Sequence, residues 1–301
     1  MNLESCKFYE LKRKRDLYRL LETNKNDVKS IKNDYTPYIS NSKKKRLIEP
    51  TYCLELKKIQ RNIANILQQM EYDESVFSGV KGKSYIDNGR LHLGSEYIIA
   101  LDISKFFPNI HREKVYKFFF CDLKMSQDTA SILSDLCCIN LKKIEKDTNE
   151  VLDFIKENNI KAMNHVPTGS AVSCILSYLA NYHMFNDIQK ICEENNYKVS
   201  FYVDDIVISS ANKFDVKVIN NIVKIIIKSG YNIQKSKFKF YGKNEFKRVT
   251  GNIISKDGSV LVIPNKIKYK IIKLKKDKSI EPNNKANRLR GLNQIIIQTN
   301  K

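Results

Sequence analysis

An α+β fold follows from how strand-like and helix-like periods are distributed along these 301 residues. The first sign is Val199 to Ser210, V-S-F-Y-V-D-D-I-V-I-S-S, two β-type runs that flank the pair Asp204-Asp205. Aspartate tolerates the left-handed backbone of a tight turn, so the stretch reads as a β-hairpin with that pair at its tip. Alternation then sends Ser200, Tyr202 and Asp204 to one face, and Val199, Phe201 and Val203 into a core. The second sign is Tyr97-Ile98-Ile99-Ala100-Leu101, apolar on both faces like a central strand covered on both sides. The third is a set of helical patterns around these strands.

Taken in order, residues 7–22 carry apolar positions at roughly helical spacing amid Lys and Arg, which predicts a basic N-terminal helix. A polar stretch runs to about Asn41, then Ser42-Lys43-Lys44-Lys45-Arg46-Leu47-Ile48-Glu49-Pro50, by itself a solvated charged loop. Between Leu54 and Leu67, Leu56, Ile59, Ile63 and Ile66 are spaced for one face of an amphipathic helix. Ser78 to Ser84 is rich in Gly and Lys, but it lacks Walker spacing and follows no strand, so a phosphate loop is rejected. Further helical patterns cover about 111–121, 126–139 and 150–158. Ser170, Ser173, Ser177 and Ala180 would form one stripe of small residues on a helix, open to a close backbone or packed on the sheet. Phe214 to Ser229 has an apolar Val/Ile face stopped by Gly230. Residues 264–301 are strongly basic and predict one or two helices, with Pro264 at a helix start.

Chemistry enters where the predicted central strand ends in Asp102 and continues Ile103-Ser104-Lys105-Phe106-Phe107-Pro108. A carboxylate at the exit of a buried strand is costly unless it is paired or binds metal. The adjacent Asp204 and Asp205 repel each other and stay ionised only beside a cation. Oxygen-only ligands suit Mg²⁺, and two such ions ~4 Å apart can activate an attacking hydroxyl and stabilise a departing pyrophosphate. L-D-I-S-K-F-F and Y-V-D-D together therefore point to nucleotidyl transfer.

Composition agrees. Lys+Arg 53 against Asp+Glu 33 gives +20, and 16 Tyr and 14 Phe accompany that charge, which points to a nucleic-acid partner. Seven Cys without C-x-x-C spacing read as reduced, mostly buried thiols. Met1-Asn2-Leu3-Glu4 lacks a signal-peptide pattern and no apolar run reaches 18 residues, so a soluble, cytoplasmic protein with no membrane partner is expected.

At these motifs the chain resembles reverse transcriptases, and more narrowly the bacterial retron type, from about residue 40 to about 270. Asp102 to Ile110 is similar to the family's first catalytic motif, and Tyr202-Val203-Asp204-Asp205 to its tyrosine-x-aspartate-aspartate motif. Asn88-Gly89-Arg90-Leu91-His92 resembles the retron N-A-x-x-H signature with Gly89 in place of Ala, and Arg248-Val249-Thr250-Gly251 resembles V-T-G. Pro167-Thr168-Gly169 stands where the family has P-Q-G, with Thr168 replacing Gln and Ala171 where Pro is frequent.

The resemblance implies a right-hand polymerase fold: interleaved fingers and palm over 1–255 and a small basic helical thumb over 256–301. It implies RNA-directed DNA synthesis with two Mg²⁺ held by Asp102, Ile103, Asp204 and Asp205, the three aspartates being catalytic. The nucleotide would meet Lys44, Arg46, Lys105, Phe106, Phe107, Thr168, Gly169 and Lys235, with Phe107 as a steric gate under the sugar. RNA would meet Asn88, His92, Val249, Thr250, Gly251, Lys266, Lys268, Lys270, Arg288 and Arg290, and the Ser78–Ser84 loop would touch the template backbone. The partners implied are a dedicated structured non-coding RNA serving as template and primer, its short DNA copy and dNTPs, typically in defence against bacteriophage; an effector protein is a further candidate partner.

Two alternatives stand beside this reading. Another bacterial reverse transcriptase, from an abortive-infection, diversity-generating or group II intron system, is opposed by V-T-G and by the missing maturase sequence. A non-catalytic RNA-binding module is opposed by three intact aspartates.

Overall fold

The computed structural model describes residues 1–41, 45–144, 149–160, 162–277 and 279–300. The N-terminal segment is helical only over α1, Lys14–Leu20, shorter than its apolar spacing predicts. Cys6 and Phe8 are buried ahead of it in turns rather than on a helix. A second short helix, α2 (Lys25–Ile31), arises inside the polar stretch because the Asn24 side chain accepts from the backbone N–H of Asn26 and Asp27. Strands β1 (Tyr38–Ile39) and β2 (Leu47–Ile48) pair antiparallel, Tyr38 opposite Ile48. Helix α3, Leu54–Leu67, matches its predicted span and buries Leu56, Ile59, Ile63 and Ile66. Helix α4 (Tyr85–Leu91) starts at a capping box in which Ser84 and Asp87 satisfy each other's backbone N–H.

Strand β3 is Tyr97–Asp102. After it come α5 (Arg112–Lys117), which widens into a π-type turn over Phe118–Asp122, and α6 (Gln127–Cys137). Strand β4 (Ile139–Asn140) pairs with β5 (Asn164–His165) on either side of α7 (Asn149–Glu157). Helices α8 (Ser173–Leu179) and α9 (Tyr182–Glu194) lead into the hairpin β6 (Lys198–Tyr202) and β7 (Asp205–Ser210). Helix α10, Val216–Lys228, is capped by Asp215 and ended by Gly230 at φ 90°. Strand β8 (Lys239–Tyr241) returns to the sheet. Strands β9 (Lys247–Val249), β10 (Asn252–Ile254) and β11 (Leu261–Val262) form a second sheet, and α11 (Asn265–Lys276) and α12 (Pro282–Thr299) close the chain. Because β11 pairs with β10, the terminal helical unit begins at α11 rather than at residue 256.

The site is positioned by an antiparallel sheet ordered β6-β7-β3-β8. One face packs on the main core, where Ile99, Leu101, Phe201, Ile206 and Ile208 meet residues of α3, α8, α9 and α10. The other face is covered as well, by a smaller cluster of Ile86, Ile98, Val207, Val249, Ile254 and Leu261. That second layer explains why Ser200, which alternation places on the outer face, is fully buried.

The predicted serine stripe also changes meaning. Helix α8 starts only at Ser173, and the buried Ser173 and Ser177 hydroxyls donate to Pro167 O (2.6 Å) and Cys174 O (2.7 Å). The close backbone approach comes from Gly79, at φ 68°, where a Cβ would lie 2.8 Å from Ile175 N. All seven cysteines are free, with Cys137 and Cys138 in the core. Among the described residues no helix is long and apolar enough to cross a membrane.

Candidate active site

The hairpin turn differs from its sequence reading by one residue. Tyr202 pairs with Asp205, so the turn residues are Val203 and Asp204 rather than Asp204 and Asp205. The register is set across the sheet, where Asp102 of β3 lies opposite Asp205 of β7. Val203 consequently takes φ 57°, a strained backbone for a β-branched residue. Two bonds hold it there: Val203 N donates to Ser78 Oγ at 2.7 Å and Ile103 N to Asp204 O at 2.8 Å.

This register brings Asp102, Asp204 and Asp205 together, with one carboxylate oxygen of each within 4.8 Å of the others. Asp102 is buried and the other two are half-buried. Burial, reinforced by the neighbouring carboxylates, pushes Asp205 up to about 7 and raises Asp204 above the usual carboxylate range. Three convergent hard oxygen donors with excess negative charge are the donor chemistry of a site for divalent cations.

One cation of the chain already answers that charge. Lys237 Nζ contacts Asp102 Oδ2. Burial would depress this ammonium, but the bond to Asp102 and the fields of the three aspartates hold it above the usual lysine range. The lysine that the resemblance implies at the nucleotide is Lys235. Both lysines of the short helical turn Lys235–Lys237 are exposed, but of the two Lys237 lines the cleft, its Nζ reaching Asp102, and Lys235 does not. Backbone bonds from Gln234 N to Asp102 O and from Ser104 N to Asn232 O, each 2.8 Å, fix that segment against β3.

Above the aspartates opens a cavity of about 470 Å³. Of the residues expected at the nucleotide, Arg46, Lys105, Phe106, Phe107 and Thr168 line it together with Asp102, Ile103 and Asp204. Arg46 immediately precedes β2, and the cavity also meets Lys45 and Gln234, which sequence reasoning had not singled out. Phe106 belongs mainly to the core, against Tyr231 and Phe185, while Phe107 is half-buried at the wall. Lys105 donates to Asn158 O, another residue of the cavity wall. Gly169 is not among the lining residues, and Lys44 lies outside the described residues.

The expected RNA contacts divide in two. Lys266, Lys268 and Lys270 on α11 and Arg288 and Arg290 on α12 are all exposed, and Lys270 and Arg288 flank the groove between the two helices. Thr250 and Gly251 sit at the β9–β10 turn and reach the surface. Asn88, His92 and Val249, by contrast, are interior and do not present a surface to RNA. His92 Nδ1 bonds Ser209 Oγ and Nε2 bonds Ser200 Oγ, both at 2.8 Å, and burial pushes its pKa down to about 3, leaving the ring neutral. Asn88 Nδ2 donates to Thr250 Oγ1 at 2.8 Å, which joins the two signature runs into one unit. The glycine at position 89 belongs to the same contact, since a Cβ there would lie 2.9 Å from Asn252 Nδ2.

Comparison with known proteins agrees with this geometry. A family model described as reverse transcriptase (RNA-dependent DNA polymerase) matches residues 29–254. The chain belongs to the reverse transcriptase family. Within that family it is similar to retron enzymes. It is 26% identical over 207 residues to the Retron Se72 reverse transcriptase of Salmonella heidelberg (strain 579083-10), covering 66% of this chain and 47% of that protein. It is 24% identical over 246 residues to the Retron Ec83 reverse transcriptase of Escherichia coli, covering 79% and 73%. To the Retron Ec86 reverse transcriptase of Escherichia coli it is 25% identical over 205 residues, covering 67% and 57%. The chain thus spans about half the length of the first of these relatives.

Proposed function

We propose that this protein is an RNA-directed DNA polymerase of the retron type, copying a dedicated structured RNA into a short single-stranded DNA, in a role in defence against bacteriophage. The observation that carries the reading is the convergence of Asp102, Asp204 and Asp205 at one end of a cleft that also takes in Arg46, Phe107 and Lys237. In this reading Asp102, Asp204 and Asp205, with the Ile103 main chain, hold two Mg²⁺. Bound there, the ions supply Lewis acidity that makes a primer hydroxyl nucleophilic and offsets the charge of departing pyrophosphate.

The chain's own groups do the rest. Arg46 and Lys45 offer cationic donors to the triphosphate, where a planar guanidinium matches phosphate oxygens. Lys237 holds the Asp102 carboxylate and stands ready to face negative charge on the leaving group. Phe107 presents a ring to the sugar that leaves no room for a 2′-hydroxyl, favouring dNTPs. The β1–β2 hairpin and α3 serve as fingers, the β6-β7-β3-β8 sheet as palm, and α11 and α12 as a basic thumb on the RNA. Thr250 and Gly251 are the surface part of the RNA-recognising unit that Asn88 supports from within.

Nucleic acid that copurifies from the native host tests this reading. One dominant RNA species, joined or base-paired to a short DNA copy, is expected. Charge reversal at Arg288 and Arg290 should release it yet spare extension on an artificial primer–template in excess. A random mixture of transcripts would remove the retron assignment.

A further inference from the structure

Far from the aspartates along the chain, two ionisable side chains face each other with no access to water. Glu49 and His165 are both 0% exposed, and His165 Nε2 lies 2.8 Å from Glu49 Oε1. His165 Nδ1 lies 2.7 Å from Ala162 O. A carbonyl only accepts, so Nδ1 carries a proton and Nε2 is the nitrogen that meets the carboxylate. The second carboxylate oxygen is used too: Thr168 N donates to Glu49 Oε2 at 2.9 Å, and Glu49 N donates back to Thr168 O at 2.8 Å.

The location gives these bonds their meaning. Glu49 follows β2, three residues after Arg46, and Thr168 lines the cleft above the aspartates. His165 bridges to His111, and Val166 N donates to Ile110 O at 3.0 Å, just past the Phe107 turn. One buried carboxylate thus ties the strand behind Arg46 to His165 and Thr168, and the His165–Val166 backbone carries that tie on to the end of the Phe107 segment. A buried pair of polar side chains is weak as a source of stability, since desolvation offsets most of its attraction, and its strength lies in fixing geometry.

We infer that Glu49 and His165 are positioning residues for the incoming nucleotide, holding Arg46 and Thr168 at a set separation across the cleft. This rests on the polymerase reading above. Two variants separate reach from charge. Glu49→Gln keeps the length and can satisfy every partner, its amide donating to a neutral His165 and its oxygen accepting from Thr168 N. Glu49→Asp keeps the carboxyl group but is one methylene too short to meet His165 and Thr168 together.

Steady-state extension on an RNA template, with melting curves, compares them. Glu49→Asp should raise KM for dNTP about tenfold with kcat within about threefold, as expected for a misplaced binding wall, and Glu49→Gln should stay within about threefold of the parent in both. RNA affinity should not change in either. If Glu49→Asp does not fold, Glu49→Met/His165→Leu removes both polar partners and should show the same rise in KM. A folded Glu49→Asp or double variant with the parent KM would overturn the inference, as would a Glu49→Gln as impaired as Glu49→Asp. Hydrogen exchange of the segment 164–172 reads the same geometry without activity: the Thr168 amide should be protected in the parent and Glu49→Gln and exchange quickly in Glu49→Asp. Absence of extension by the parent protein would instead count against the polymerase reading, and the exchange pattern would still decide the role of Glu49.

Discussion

At the tip of the β6–β7 hairpin three carboxylates crowd within 4.8 Å, one backbone residue is strained and Asp205 is pushed up to about 7. Further down the same two strands, His92 sits between Ser200 and Ser209 with both ring nitrogens bonded and its pKa pushed down to about 3. Both places hold ionisable groups in the protein interior, and they handle burial in opposite ways. The tip keeps charge that the chain itself only partly compensates, through Lys237. The lower part removes charge and satisfies every ring nitrogen. Uncompensated charge marks where a ligand is handled, and a saturated neutral network marks support.

The lysines beside the tip sharpen this contrast most. Lys237→Ala removes the one cation seen on Asp102 among the described residues and should slow primer extension on the order of 100-fold, in the range found when a group that stabilises developing charge is deleted. Lys235→Ala, two residues away on the same turn but outside the cleft lining, should leave extension essentially unchanged. Equal losses from the two variants would mean that general basicity of this segment, rather than the Asp102 contact, matters.

Stability against pH separates the two regions by sign. His92 has an ordinary pKa of 6.5 and about 3 in the fold, so below pH 6.5 the unfolded chain binds a proton that the folded one refuses. Its contribution is complete above that value and is lost on acidification, by roughly 2 kcal/mol between pH 7 and 5. Asp205 runs the other way, from an ordinary 3.8 to about 7, so the folded chain keeps a proton that the unfolded one releases. That contribution is present below pH 3.8 and fades as the pH rises towards 7. Melting temperature followed against pH in chelator should show both limbs. His92→Gln should flatten the acid limb only, and Asp205→Asn the neutral limb only.

What could be read from the sequence were the places where local pattern and chemistry coincide. Asp102 was legible because a carboxylate ends a run apolar on both faces, and α3 because four apolar residues share one face over 54–67. The hairpin was legible but its turn was not, since the register depends on Asp102 meeting Asp205 across the sheet. Asn88 and His92 read as RNA contacts because a motif carries no burial, and only the second layer over the sheet makes them interior. Lys235 and Lys237 share one basic run, and choosing between them needs the direction of a single turn. Glu49 and His165 lie 116 residues apart, and nothing local in either segment announces the pair.

The central claim is that the three aspartates at the hairpin tip carry RNA-templated DNA synthesis. It is tested most directly by extending a DNA primer on an RNA template with dNTPs and Mg²⁺, using the parent protein and Asp204→Asn at matched folded concentration. The parent should extend the primer, and Asp204→Asn should lose at least ~10³-fold in rate while melting no lower, since it removes one of three mutually repelling carboxylates. Substantial extension by a folded Asp204→Asn protein would contradict the account.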